Sequence, residues 1–156
     1  MKGACRCLLV AALSWSVPGA NAQVAPSDPD ATVRQLLGLA LDNIQSGLCE
    51  NGKPCSPATA DERASPPVTL VDAKEILGRA FLSAMGEHCG LDWKRLNYLP
   101  MMAHWRNALK SSERKLTLIA LFHGIAQGQF EAILKKRGPC SDADRSLTEA
   151  RLAFRA

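Results

Sequence analysis

His88, His104 and His123 are the three histidines of the sequence, and imidazole is the side chain whose charge changes nearest neutral pH. Helical spacing puts His88 near the middle of an apolar face and His123 inside the apolar arc of a long helix, with His104 at the edge of a polar face. A neutral histidine buried against backbone or a nearby glutamine is the ordinary role for the first two. A sharper expectation is that His88 and His123 face one another across the core and respond to mild acid as a pair, because charging both in an apolar site is costly. Met85 near His88, and Met101 and Met102 near His104, add thioethers to these imidazoles, a set that suits Cu(I). Methionines at helical spacing also serve as core filler.

Cys49, Cys55, Cys89 and Cys140 contain no C-x-x-C, no haem-attachment motif and no zinc-ligand spacing, so they assign no metal. An even set of four in a small exported domain reads instead as two disulfides. Three pairings exist in principle. Cys49 and Cys55 bracket Glu50-Asn51-Gly52-Lys53-Pro54, whose Asn-Gly and Pro are turn residues. The local pair is therefore expected, leaving Cys89 to join Cys140. The chain-entropy relation gives the short loop ~2.4 kcal/mol and the long one ~4 kcal/mol.

Catalytic templates are missing. The sequence has no G-x-S-x-G elbow, H-E-x-x-H, Walker loop or dinucleotide glycine fingerprint, so no catalytic residue and no cofactor is assigned. Glu87, Glu113 and Glu131 are available as carboxylates, but nothing in their spacing selects a pair. Recognition is better provided for. Trp93, Tyr98, Trp105 and Arg106 lie close in sequence, and aromatics with arginine are the composition of interface hot spots. Ala120, Gly124 and Gly128 form a row of small residues that lets another helix approach closely, either an alanine-rich one of this chain carrying Ala73, Ala80 and Ala84 or one from another chain.

The elements that must position these groups are helical throughout. Ser27-Asp28-Pro29 opens a helix in which Val33, Leu36, Leu37, Ala40, Leu41 and Ile44 recur, with Gly47 as a left-handed stop. Residues 56–67 read as a connector with at most one helical turn. Thr69 and Asp72 form a capping box for a helix carrying Ala73, Ile76, Leu77, Ala80, Phe81, Ala84 and Met85 on one face, ended by Gly90. Asp92 caps a short turn through Leu96, and Pro100 opens a further helix. Ser111 or Ser112 starts the longest helix, which runs to about Arg137, is free of charge from Leu116 to Phe130, and is expected at the centre of the domain. Ser141 and Asp144 form another capping box, followed by a stripe of Ala143, Leu147, Ala150 and Phe154. The fold class expected is all-α: a compact bundle of about five helices stapled by two disulfides.

The 156-residue sequence carries a net charge of +4 and 47% hydrophobic residues, which excludes a disordered chain. Lys2 and Arg6, the apolar run Cys7 to Val17, Pro18-Gly19 and then Ala20-Asn21-Ala22 read as a cleaved secretory signal over residues 1–22, leaving a single helical domain at residues 23–156 with a net charge of +2. Residues 23–72 hold three basic and seven acidic groups and residues 73–156 fourteen and eight, an asymmetry expected to be absorbed where the two halves meet. Nucleic-acid binding gains little support from so small a net charge. No helix reads as a membrane span. The expectation is a periplasmic or secreted, non-enzymatic helical protein that binds another envelope or extracellular protein through the Trp93–Arg106 region and the row around Gly124. The alternative is a metal or small-ligand binder built on His88, His104 and His123, and a third reading, resting on compartment alone, is an envelope hydrolase.

Overall fold

The computed structural model describes residues 28–156, so the signal expected over residues 1–22 lies outside the described residues. Those described fold as an all-helical bundle with two disulfides, Cys49–Cys55 and Cys89–Cys140, as the spacing predicts. Helix α1 (Ala31–Asp42) forms where Val33, Leu36, Leu37, Ala40 and Leu41 share one side, and all five are buried. Asp28 sets its start, accepting from the Asp30 N–H at 2.9 Å and from the Arg34 guanidinium at 2.5 Å.

Gly47 is not the left-handed stop that its position suggests. The chain tightens into a 3₁₀ turn at Ile44–Ser46 and passes Gly47 in extended conformation, φ −98°. Glycine is required there for space, because a Cβ would lie 2.3 Å from the Cγ2 of Thr117. The left-handed residues come later, at Asn51 and Gly52 inside the small disulfide loop. The connector over residues 56–67 holds one short helix, α2 (Ala60–Ala64), with a reciprocal capping box between Thr59 and Glu62. Arg114 pins it by a forked pair to Glu62, 2.5 and 2.7 Å, and by a bond to the Ser56 carbonyl at 2.9 Å. The guanidinium holds the Glu62 carboxyl down to about 2.

Helix α3 (Leu70–His88) starts at the expected Thr69–Asp72 box and ends before Gly90, whose φ is +65°. Helix α5 (Glu113–Arg137), capped by Ser112, is central as its uncharged stretch implies, burying Leu118, Ile119, Phe122, His123 and Ala126. The two run side by side in the same direction, since Asp72 meets Lys115, Ser83 meets His123 and Glu87 meets Gln127 in step along both helices. A parallel pair needs a return path between its members. Residues 94–108 supply it as one continuous helical run: a π turn at Lys94–Tyr98, helix α4 (Leu99–Ala103), and a second π turn at His104–Ala108.

Pro100 stands in the first turn of α4, as expected, but that helix continues the π turn before it without a break. Its missing N–H leaves the Leu96 carbonyl without an α-helical donor, and the Phe154 N–H bonds that carbonyl at 2.9 Å instead. The π turns follow from the sequence too. Asn97, Met101 and Trp105 are the buried residues of the run and repeat every four positions, more than the 3.6 residues of an α-helical turn, so widened turns keep them on one line.

Helix α6 (Asp142–Leu152) buries Thr148 and Leu152, not the expected stripe: Leu147 is exposed and Phe154 lies beyond the helix. Thr148 can face inward because its hydroxyl bonds the Asp144 carbonyl at 2.6 Å, which meets its polar need inside the helix. The capping box at Ser141 is half formed. Its hydroxyl takes the Asp144 N–H but also donates to the Asp144 carboxylate at 2.7 Å. Phe81 departs from the apolar face of α3 as well; it is exposed, with its ring edge-on to Phe130 at 5.2 Å. The charge asymmetry is met where the halves touch, through Asp30–Lys74, Glu62–Arg114 and Asp72–Lys115.

Two glycines make opposite predictions. A Cβ at Gly86 would sit 2.8 Å from the Cβ of Trp93 and 3.2 Å from Leu152, whereas one at Gly124 meets nothing within 4 Å. Gly86→Ala is expected to destabilise by about 1–3 kcal/mol through overpacking. Gly124→Ala is expected to stabilise by about 0.5–1 kcal/mol through helix propensity. Urea unfolding of both variants tests the pair.

Candidate functional site

A groove of about 370 Å³ runs between the 94–108 segment and α5. Tyr98, Leu99, Met102 and Arg106 form one wall, Glu113, Leu116, Thr117 and Ala120 the other, and Leu48 closes one side. The sequence explains each wall. Met101 and Trp105 turn into the core, which leaves Tyr98, Leu99 and Met102 on the side of the run that meets the groove. Leu48 is carried there by the disulfide loop, where the Thr117 hydroxyl holds its carbonyl. Leu48 is 61% exposed and Leu99 50%, so the groove offers apolar surface to solvent. Arg106 and Glu113 pair across one end at 3.4 Å, giving the rim both signs of charge.

The groove gathers three of the residues singled out for recognition, Tyr98, Arg106 and Ala120, together with Met102 and Glu113. No family model, curated protein or solved structure matches the chain. The groove's own chemistry is therefore what speaks for its role. Gly124 and Gly128, one and two turns beyond Ala120, are exposed with open space at their Cβ positions, so no helix among the described residues packs on these two glycines.

Trp105 does not belong to this surface. Only 3% exposed, it lies in the core with the Lys115 ammonium 4.9 Å from its ring, because the four-residue repeat with Asn97 and Met101 turns it inward. Its Nε1 is buried and has no hydrogen-bond partner among the described residues. Trp93 is half-buried against Tyr98 and His123, with ring centroids 6.3 and 6.5 Å away.

The histidines occupy three different surroundings, which corrects the expected His88–His123 pair. His123 is buried, its Nε2 3.1 Å from the Ser83 hydroxyl and its ring 4.9 Å from that of Tyr98. His88 is half-buried in a shallow hollow with Glu87, Glu131, Leu134 and Lys135. It is the last residue of α3, and the contact with Gln127 of α5 is made by Glu87, to which Gln127 donates at 3.2 Å. Gln127 also donates to Glu131 at 2.8 Å, so one amide bridges two of the three candidate carboxylates. His104 lies against the rings of Trp105 and Phe154. Among the described residues no group of three or more His, Cys, Asp or Glu is placed to hold a metal ion.

Around His123 the structure builds a polar cluster that the spacing of histidines did not reveal. Asn97 donates from its amide to the Ser83 hydroxyl at 2.8 Å and to the Arg79 carbonyl at 2.7 Å, and accepts from Arg79 Nε at 2.5 Å. Arg79 also donates to the Leu152 carbonyl at 2.8 Å. A serine beside a histidine resembles a nucleophile and its base, but here both are sealed from solvent, and the asparagine bonds the serine, not the imidazole. The sequence signal for this cluster was present in the repeat Asn97, Met101, Trp105, which places a polar residue on a core-facing line.

Burial, and next to it the Arg79 charge, push the His123 imidazole down to about 4. Its unfolded value of 6.5 is higher, so the unfolded chain binds more protons between these limits. The stability this confers is complete above pH 6.5 and is lost as pH falls toward 4. Unfolding free energy is expected to drop over that window by up to about 3 kcal/mol, and His123→Gln to flatten the profile. Glu62 acts only below its ordinary 4.5, so denaturant melts between pH 6.5 and 4.5 isolate the histidine.

Proposed function

We propose that this chain is an exported, non-enzymatic accessory protein that binds a protein partner in the cell envelope or outside the cell. Its groove between the 94–108 segment and α5 would receive the apolar face of a partner helix. The observation that carries this reading is the groove itself, where Tyr98, Leu99, Met102, Leu116 and Ala120 present apolar surface between two helices of one bundle. A helix suits this site because the row Ala120, Gly124 and Gly128 continues along α5, and among the described residues no side chain obstructs a close backbone approach at the two glycines. Opposite charges at the rim, from Arg106 and Glu113, favour an occupant whose own polar flank carries both signs. Two disulfides suit an oxidising compartment, and no helix among the described residues is long and apolar enough to cross a membrane.

Photo-crosslinking side chains at Leu99 and Ala120, with Val71 as a distant exposed control, test the reading in native cells. One adduct of the same mass is expected from positions 99 and 120, none from 71, and Leu48→Asp in the same chain is expected to abolish both. Groove adducts that survive Leu48→Asp, adducts of equal yield at 71, or none at the groove positions overturn it.

A further inference from the structure

The Ser83 hydroxyl stands between Asn97 and His123. Both amide hydrogens of Asn97 are spent, on the Ser83 hydroxyl and the Arg79 carbonyl. The remaining polar partner of Ser83 is His123 Nε2, to which the hydroxyl, already accepting from Asn97, can give its own hydrogen when the neutral ring carries its proton on Nδ1. From there the chain of contacts runs through Asn97 Oδ1 to Arg79, and from Arg79 to the Leu152 carbonyl. The same guanidinium lies 5.2 Å over the ring of Phe154, whose N–H holds the Leu96 carbonyl. An imidazole in the core is thus linked through three side chains to the segment that leaves α6.

We propose that Leu152–Phe154 is an acid-released latch: protonation of His123 displaces Arg79, and the C-terminal end of α6 then swings free while Cys89–Cys140 keeps its other end tethered. A proton on Nε2 turns the acceptor into a donor, so Ser83 must turn its hydrogen away and accept from both His123 and Asn97. The new charge meets no compensating carboxylate. From α3 it faces Arg79, already cationic; from the 94–108 segment it faces Tyr98, whose phenol burial keeps neutral, together with Trp93 and Asn97. Along α5, Gln127 holds Glu87 and Glu131 to itself. Arg79 is the half-buried member of the cluster, with water within reach, so its departure is the least costly relief. Losing it removes one of the two hydrogen bonds that hold the segment and uncovers the Phe154 ring. Cys140 stands next to the Ser141 cap of α6 and is bonded to Cys89, which makes that end the pivot.

Amide hydrogen exchange on the full chain at pH 7.0 and 4.0, corrected for intrinsic rates, tests the latch. The Phe154 amide is expected to lose at least tenfold more protection at pH 4.0 than amides in the middle of α3 and α5, whose loss follows the fall in unfolding free energy alone. His123→Gln is expected to hold Phe154 protection at both pH values. Arg79→Met is expected to show the acid level already at pH 7.0, with little further change, and it serves if the His123 variant does not fold. Unchanged Phe154 protection in the wild type, loss in step with α3 and α5, or a pH response that persists in His123→Gln or Arg79→Met overturns the proposal.

Discussion

Asn97 is the residue through which this bundle holds its return path in place. A helical segment running back between two parallel helices has to be fixed in height and rotation, and apolar contacts alone fix neither sharply. Asn97 does both, with three bonds to Arg79 and Ser83 that use its two donors and its acceptor. Losing any of them would strand a polar group in the core, so the register of the segment is set by the cost of the alternatives. With Asn97 in place, Met101 and Trp105 follow into the core and Tyr98, Leu99 and Met102 are left to line the groove. The groove is a by-product of how one asparagine is satisfied.

The periphery is fixed by different means. The connector over residues 56–67 has little apolar content to bury, and Arg114 substitutes for it with a forked pair to Glu62 and a bond to the Ser56 carbonyl. The Cys49–Cys55 loop is clasped at Gly47, where only a hydrogen fits against Thr117, and the clasp brings Leu48 to the groove. Ion pairs between the acidic and basic stretches, such as Asp30–Lys74 and Asp72–Lys115, tie α1 and the central pair together at modest strength, since several of these side chains are half exposed.

Much of this was legible in the sequence, and the reason is local. Capping at Thr69 and Ser112, the stop at Gly90 and the disulfide pairing depend on neighbours in the chain, so short spacings reveal them. The apolar faces of α1 and α5 were equally clear. What spacing concealed were choices made between distant residues. Gly47 was misread because its constraint is Thr117, seventy positions away. The inward face of α6 was misread because Thr148 satisfies its hydroxyl within its own helix and can replace an apolar residue. His88 and His123 both fall on apolar arcs, yet only one is sealed, since Glu87 and Gln127 occupy the contact that His88 would have made. Of the groove, the aromatic and small residues could be named but not their grouping: Trp105 turned inward, while Leu48 arrived from another part of the chain.

The Cys89–Cys140 bond has a topological consequence. It closes a covalent ring that contains the entire 94–108 segment, all of α5 and the exposed junction between them, where Lys110 takes a left-handed backbone conformation at φ 51°. A peptide bond cut at that junction would leave a single molecule, its two new ends joined through sulfur and still gripped by the core around Asn97. A break at this exposed junction is therefore one the protein can suffer without coming apart, and only such a break combined with reduction would part the two walls of the groove.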